Sequence, residues 1–107
     1  MANLLLIAPN GVKLIQLSGP MVTIGRSEKC TVVIDRLPVS RLHAALTSVD
    51  GGFSICDLDS RNGVFVNGVK VHRRTLRHGD SICLGDCEMR YLDAPAHAAP
   101  SQLSLAA

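Results

Sequence analysis

Asp57-Leu58-Asp59-Ser60-Arg61-Asn62-Gly63-Val64-Phe65-Val66-Asn67-Gly68 carries two Asn-Gly pairs, at Asn62-Gly63 and Asn67-Gly68. Asn-Gly is a strong short signal for a tight turn, because both residues tolerate positive φ. Between the pairs, Val64-Phe65-Val66 is β-branched and aromatic and too short for a helix. The chain therefore turns, forms a short strand and turns again. Phe53–Cys56 upstream reads as another strand, which leaves Asp57–Asn62 as a polar loop at one end of a sheet. A loop this polar, held between strands, displays its side chains to something.

The same alternation of short apolar runs and turn signals extends in both directions. Residues 3–8 and Val12–Leu17 flank Pro9-Asn10-Gly11 and read as a hairpin. Met21–Ile24, Thr31–Ile34 and His43–Val49 follow as strands, with Pro38 excluding a central strand between the last two. Downstream come Val64–Val66, Val69–Val71, a short strand at Thr75-Leu76, and a last hairpin of Ser81–Leu84 with Glu88–Leu92. No stretch spaces apolar residues for a helix over three turns, so the pattern is that of an all-β sandwich or barrel. From Ala94 the composition turns to Ala, Pro, Ser and His. Residues 1–93 are expected to form one domain, and 94–107 a disordered tail or linker.

Composition narrows the function. A net charge of +2 is too small for a non-specific nucleic-acid face, and 3% aromatics with no Trp leaves no stacking platform for single strands. No apolar run reaches the length of a membrane helix, and Leu4–Ala8 is too short and lacks the basic start of a signal peptide. A cytoplasmic chain is the expectation, with Cys30, Cys56, Cys83 and Cys87 reduced and serving as small hydrophobes. Their spacing does not suit a zinc site, and neither metal nor cofactor is expected.

Four polar clusters fall in loops: Gly25-Arg26-Ser27, Ser40-Arg41-Leu42-His43, Ser60-Arg61-Asn62 and Asn67-Gly68. Brought to one rim, their arginine forks and hydroxyls make a site for a tetrahedral dianion, phosphate above all. The Asn62 amide both donates and accepts, which suits an extended peptide backbone. No Gly-rich cradle for a nucleotide is present.

Gly25-Arg26, Val39-Ser40-Arg41-Leu42-His43-Ala44, Asp57–Gly68 and Leu76-Arg77-His78-Gly79-Asp80 follow one another as in the forkhead-associated (FHA) domain family, and the chain resembles that family from about Leu4 to Leu92. The resemblance implies a β-sandwich of about eleven strands that recognises phosphothreonine peptides through loops at one end. On that likeness, Arg26 and Ser40 bind phosphate, Arg41 adds a variable contact, and Asn62 bonds the ligand backbone just after the phosphothreonine. His43 resembles the architectural histidine that ties the loops together. Gly25, Gly63 and Asn67 support the loops, the glycines by backbone freedom. Where the family commonly has a phosphate-holding Thr, this chain has Arg61, which either replaces that contact with a stronger charge or swings to solvent.

The reading is thus a binding module in a serine/threonine kinase pathway. Its alternative is an FHA-like scaffold for phosphate-independent docking or self-association. An enzyme is not expected: Asp57 and Asp59 read as loop-shaping residues, and no Cys–His pair with an orienting group is evident. The only threonines, Thr23, Thr31, Thr47 and Thr75, lie in or beside strands, so the ligand threonine is expected on another chain, or on sequence beyond Ala107.

Overall fold

In the computed structural model, residues 2–9 and 11–93 are described. The tail expectation for 94–107 lies outside them.

Eleven strands form two sheets: β1 (Asn3–Ala8), β2 (Gly11–Gln16), β3 (Met21–Gly25), β4 (Val32–Val33), β5 (Ala44–Val49), β6 (Gly52–Asp57), β7 (Val64–Val66), β8 (Val69–Val71), β9 (Arg73–Thr75), β10 (Ser81–Leu84) and β11 (Cys87–Leu92). One sheet runs β2-β1-β11-β10-β7-β8 and the other β4-β3-β5-β6-β9. Every pairing is antiparallel except β3 with β4.

Period-two alternation builds the layers. Val22 and Ile24 of β3, Phe53 and Ile55 of β6, Val64 and Val66 of β7, and Ile82 and Leu84 of β10 all face inward and are buried. With Leu4, Leu46, Met89 and Tyr91 they make one core between the sheets. The choice between sandwich and barrel, open in the periodicity, is settled by pairing: β8 and β9 follow one another in sequence yet belong to different sheets.

The two Asn-Gly pairs do different jobs. Asn67 and Gly68 have φ of 52° and 82°, the double left-handed turn that joins β7 to β8. In the first pair only Gly63 is left-handed, at φ 83°, so Asn62 stays in the loop rather than forming a hairpin. Most strand ends fall within one residue of expectation, and two strands stand apart in length or start. The fourth is only Val32–Val33. The ninth begins at Arg73, because the Asp57 amide donates to the His72 carbonyl and brings Arg73 opposite Cys56.

The sandwich has two distinct ends. At one lie the β3–β4, β4–β5 and β6–β7 loops and the β10–β11 turn. At the other, Asn3 at the start of β1 pairs with Leu92 at the end of β11.

Candidate functional site

The β4–β5 loop, residues 34–43, is fixed from several sides. The Asn62 side-chain amide donates to the Pro38 carbonyl at 2.7 Å. The Arg26 Nε donates to the Val39 carbonyl at 3.1 Å. The Arg36 guanidinium forks onto the Asp86 carboxylate of the β10–β11 turn, which holds that carboxyl below its ordinary range, chiefly through the hydrogen bond. Gly85 in the same turn leaves no room for a side chain: a β-carbon there would stand 2.7 Å from the Pro38 ring and 2.9 Å from its carbonyl oxygen.

His43 is fully buried and holds the loops together. Its backbone N–H donates to Ile24 and its carbonyl accepts from Leu58. Nδ1 accepts the Ser40 amide at 3.0 Å, so Nε2 carries the ring proton and donates to the Gly63 carbonyl at 2.8 Å. The side chain thus connects the β4–β5 loop to the β6–β7 loop, while the backbone of the same residue holds both to β3. The β6–β7 loop is further shaped by Asp57, whose carboxylate accepts the Ser60 amide, and by Ser60, whose hydroxyl accepts the Gly63 amide.

Gly25 has a reason other than backbone freedom. Its φ is not left-handed, but a β-carbon there would run into the Arg41 carbonyl group, 2.8 Å from its carbon, and meet the Cys30 sulfur at 3.0 Å. That close approach lets the Arg26 amide donate to Ser40 and the Ser27 amide donate to Arg41, zipping the β3–β4 loop to the β4–β5 loop.

These restraints enclose a cavity of about 270 Å³ lined by Arg26, Leu37, Pro38, Val39, Ser40, Arg41 and Arg61. Three arginines line it and no lining residue is acidic. With Nε held by Val39, the Arg26 terminal nitrogens have no acceptor among the described residues. The Ser40 oxygen accepts the Arg61 amide at 3.0 Å, which leaves its O–H free to donate. A rigid concave array of donors, without carboxylates, suits a tetrahedral anion.

Of the residues singled out in the sequence, the structure brings Arg26, Ser40, Arg41, Arg61 and Asn62 to this rim, with Gly25, His43 and Gly63 supporting it. One N–H of the Asn62 amide donates to Pro38, which leaves its second N–H to donate and its oxygen to accept. Asn67 lies elsewhere. Because β7 runs between Gly63 and Asn67, Asn67 sits at the opposite end of the sandwich. There its amide group bonds Asp80 and Ser81, tying the β7–β8 turn to the start of β10. Leu37, 85% exposed, lines the cavity and was not singled out, because an apolar residue in a loop carries no pattern of its own.

The profile of the FHA domain family matches residues 22–85. An oxoglutarate dehydrogenase inhibitor from Corynebacterium efficiens is 33% identical over 88 residues, covering 82% of this chain and 62% of that protein. The chain spans less than two thirds of the length of the curated relatives it matches. A structure solved in a study of phosphothreonine-dependent FHA domain interactions superposes with a TM-score of 0.82 at 30% identity, over 88% of this chain and 97% of that one. Mycobacterium tuberculosis EmbR, in complex with a low affinity phosphopeptide, superposes at 0.77 with 33% identity, over 90% of this chain and 25% of that one. The fold, the ordered motifs and the family match together establish that this chain belongs to the FHA domain family.

Proposed function

We propose that this domain is a phosphothreonine-peptide recognition module, non-catalytic, serving a cytoplasmic serine/threonine kinase pathway. The observation that carries the reading is the acid-free cavity ringed by Arg26, Arg41 and Arg61, with the Ser40 hydroxyl at its wall. Arg26 and Ser40 hold the phosphate, Arg41 and Arg61 add charge, and the Asn62 oxygen accepts a ligand backbone amide. Both structural neighbours described above come from phosphothreonine or phosphopeptide work, which supports the same reading. All four cysteines are free thiols, in keeping with a reducing compartment. The partner is a threonine-phosphorylated protein in trans.

Calorimetric titration with phosphothreonine, phosphoserine and unphosphorylated versions of a degenerate peptide library, with Arg26→Ala as control, tests the proposal. Binding that requires the phosphate and is lost in Arg26→Ala is the expected result. Phosphate-independent binding that survives the substitution would instead mark a docking scaffold.

A further inference from the structure

A second cavity, of about 310 Å³, adjoins the first. It is lined by Thr23, Ser27, Lys29, Cys30, Arg41 and Leu42. Arg41 lines both cavities, so the two flank one residue. Their chemistry differs. The first is lined by three arginines. The second has the buried Cys30 and the aliphatic Leu42 in its walls and a single cation, Lys29, besides the shared Arg41.

Leu42 is 51% exposed, although its chain neighbour His43 and the first three residues of the strand that follows are buried. The Leu42 side chain therefore contributes little to the core, and its apolar surface faces the second cavity. The cavity wall is also well fixed. Cys30 donates its S–H to the Arg41 carbonyl at 3.3 Å, and the Ser27 hydroxyl accepts the Lys29 amide at 3.2 Å. A preformed wall of this kind does not have to be ordered when a ligand arrives, so burying apolar surface there translates into affinity.

The order of features along the rim gives the ligand a direction. Along the β4–β5 loop, Asn62 is bonded at Pro38, and the second cavity begins further on, at Arg41 and Leu42. On the proposed function, on which this inference rests, Asn62 takes the backbone just after the phosphothreonine. The chain before the phosphothreonine then leaves across Arg41.

We infer that the cavity between Leu42, Cys30 and Thr23 is an upstream specificity subsite, which takes an aliphatic side chain of the ligand on the N-terminal side of its phosphothreonine. The subsite selects among phosphothreonine peptides that the arginine-ringed cavity holds alike. Partial burial of one leucine side chain against Leu42 strengthens binding by about five-fold.

The test uses phosphothreonine peptides with a Ser/Gly background and one leucine placed in turn at each of the four positions before the phosphothreonine. They are titrated against the wild type, Leu42→Ser, Leu42→Ile and Arg26→Ala. The expected result is one upstream position at which leucine tightens binding several-fold in the wild type and in Leu42→Ile. In Leu42→Ser that gain disappears while the leucine-free peptide binds as before. If no upstream position favours leucine, or if the gain persists in Leu42→Ser, the subsite is overturned and the phosphothreonine reading stands. If no peptide binds in a phosphate-dependent manner that Arg26→Ala abolishes, both fall together.

Discussion

The hydroxyl oxygen of Ser40 accepts the backbone amide of Arg61 at 3.0 Å, joining the β4–β5 loop to the β6–β7 loop at the edge of the arginine-ringed cavity. Ser40 thus has two tasks, since the same hydroxyl retains a proton to donate to a phosphate. Ser40→Ala removes both at once. Phosphopeptide affinity should fall by roughly ten- to a hundred-fold, as for loss of a hydrogen bond to a charged group, while stability falls by only about 1 kcal/mol. Calorimetry beside urea unfolding separates the two effects.

Arg61 is exposed, and its backbone rather than its side chain anchors the loop. Arg61→Ala should therefore leave the unfolding midpoint unchanged and weaken phosphopeptide binding by about five-fold. The loss should shrink as salt rises from 50 to 500 mM, because an exposed charge contact is screened. An affinity unchanged at low salt would mean that the side chain points to solvent in the complex.

His43→Ala strikes the junction of the β4–β5 and β6–β7 loops. It leaves the Ser40 amide and the Gly63 carbonyl without their partner and opens a void in a fully buried position. A loss of about 3 kcal/mol is expected, read as a lowered urea midpoint, with phosphopeptide binding weakened even where the protein remains folded.

Two glycine substitutions separate steric crowding from backbone strain. Gly25→Ala drives a methyl group into the Arg41 backbone and should cost more than about 2 kcal/mol, because the Arg41 carbonyl is held in place by the Ser27 amide. Gly51→Ala meets nothing within 4 Å but sits at φ 81°, so its cost is confined to the left-handed conformation, about 1 kcal/mol. Equal unfolding midpoints for the two variants would remove the close approach as the reason for Gly25.

Burial pushes the Cys87 thiol above its ordinary range, with the Asp86 charge adding to the effect, and it pushes the Cys83 thiol up likewise. Burial, reinforced by the hydrogen bond to Asp93, also raises the Tyr91 hydroxyl. A raised acid binds its proton more tightly in the folded state, so its contribution is complete below the unfolded pKa and is lost as pH rises toward the folded one. The urea midpoint should therefore stay level from pH 6 to 8 and decline above about 8.5, the ordinary thiol value, with Tyr91 adding to the decline above about 10.

The strands were legible because alternation and turn chemistry agree. Phe53 and Ile55, or Ile82 and Leu84, announce a buried face by period alone, and Asn67-Gly68 announces its hairpin. The binding rim was legible through motif order, which placed Arg26, Ser40, Arg41, Arg61 and Asn62 together. What stayed hidden depends on three-dimensional approach. Asn67 shares the Asn-Gly signature of Asn62, and only the length of β7 sends it to the other end. Gly25 resembles any turn glycine until the Arg41 carbonyl is seen beside it. Leu37 and Leu42 fall in loop segments where a single apolar residue carries no periodic signal, and only the backbone path shows the cavities that they line.

Asn3 and Leu92 are paired at the end of the sandwich opposite the arginine-ringed cavity. Any polypeptide spliced to either side of the domain therefore starts its path about 20 Å behind the mouth, the length of a six-residue strand. A threonine in the first few attached residues has too short a leash to reach that mouth. Fusion partners, immobilisation tags and fluorescent reporters joined at these positions leave the opening clear. The domain is arranged like a plug whose cable leaves from the back.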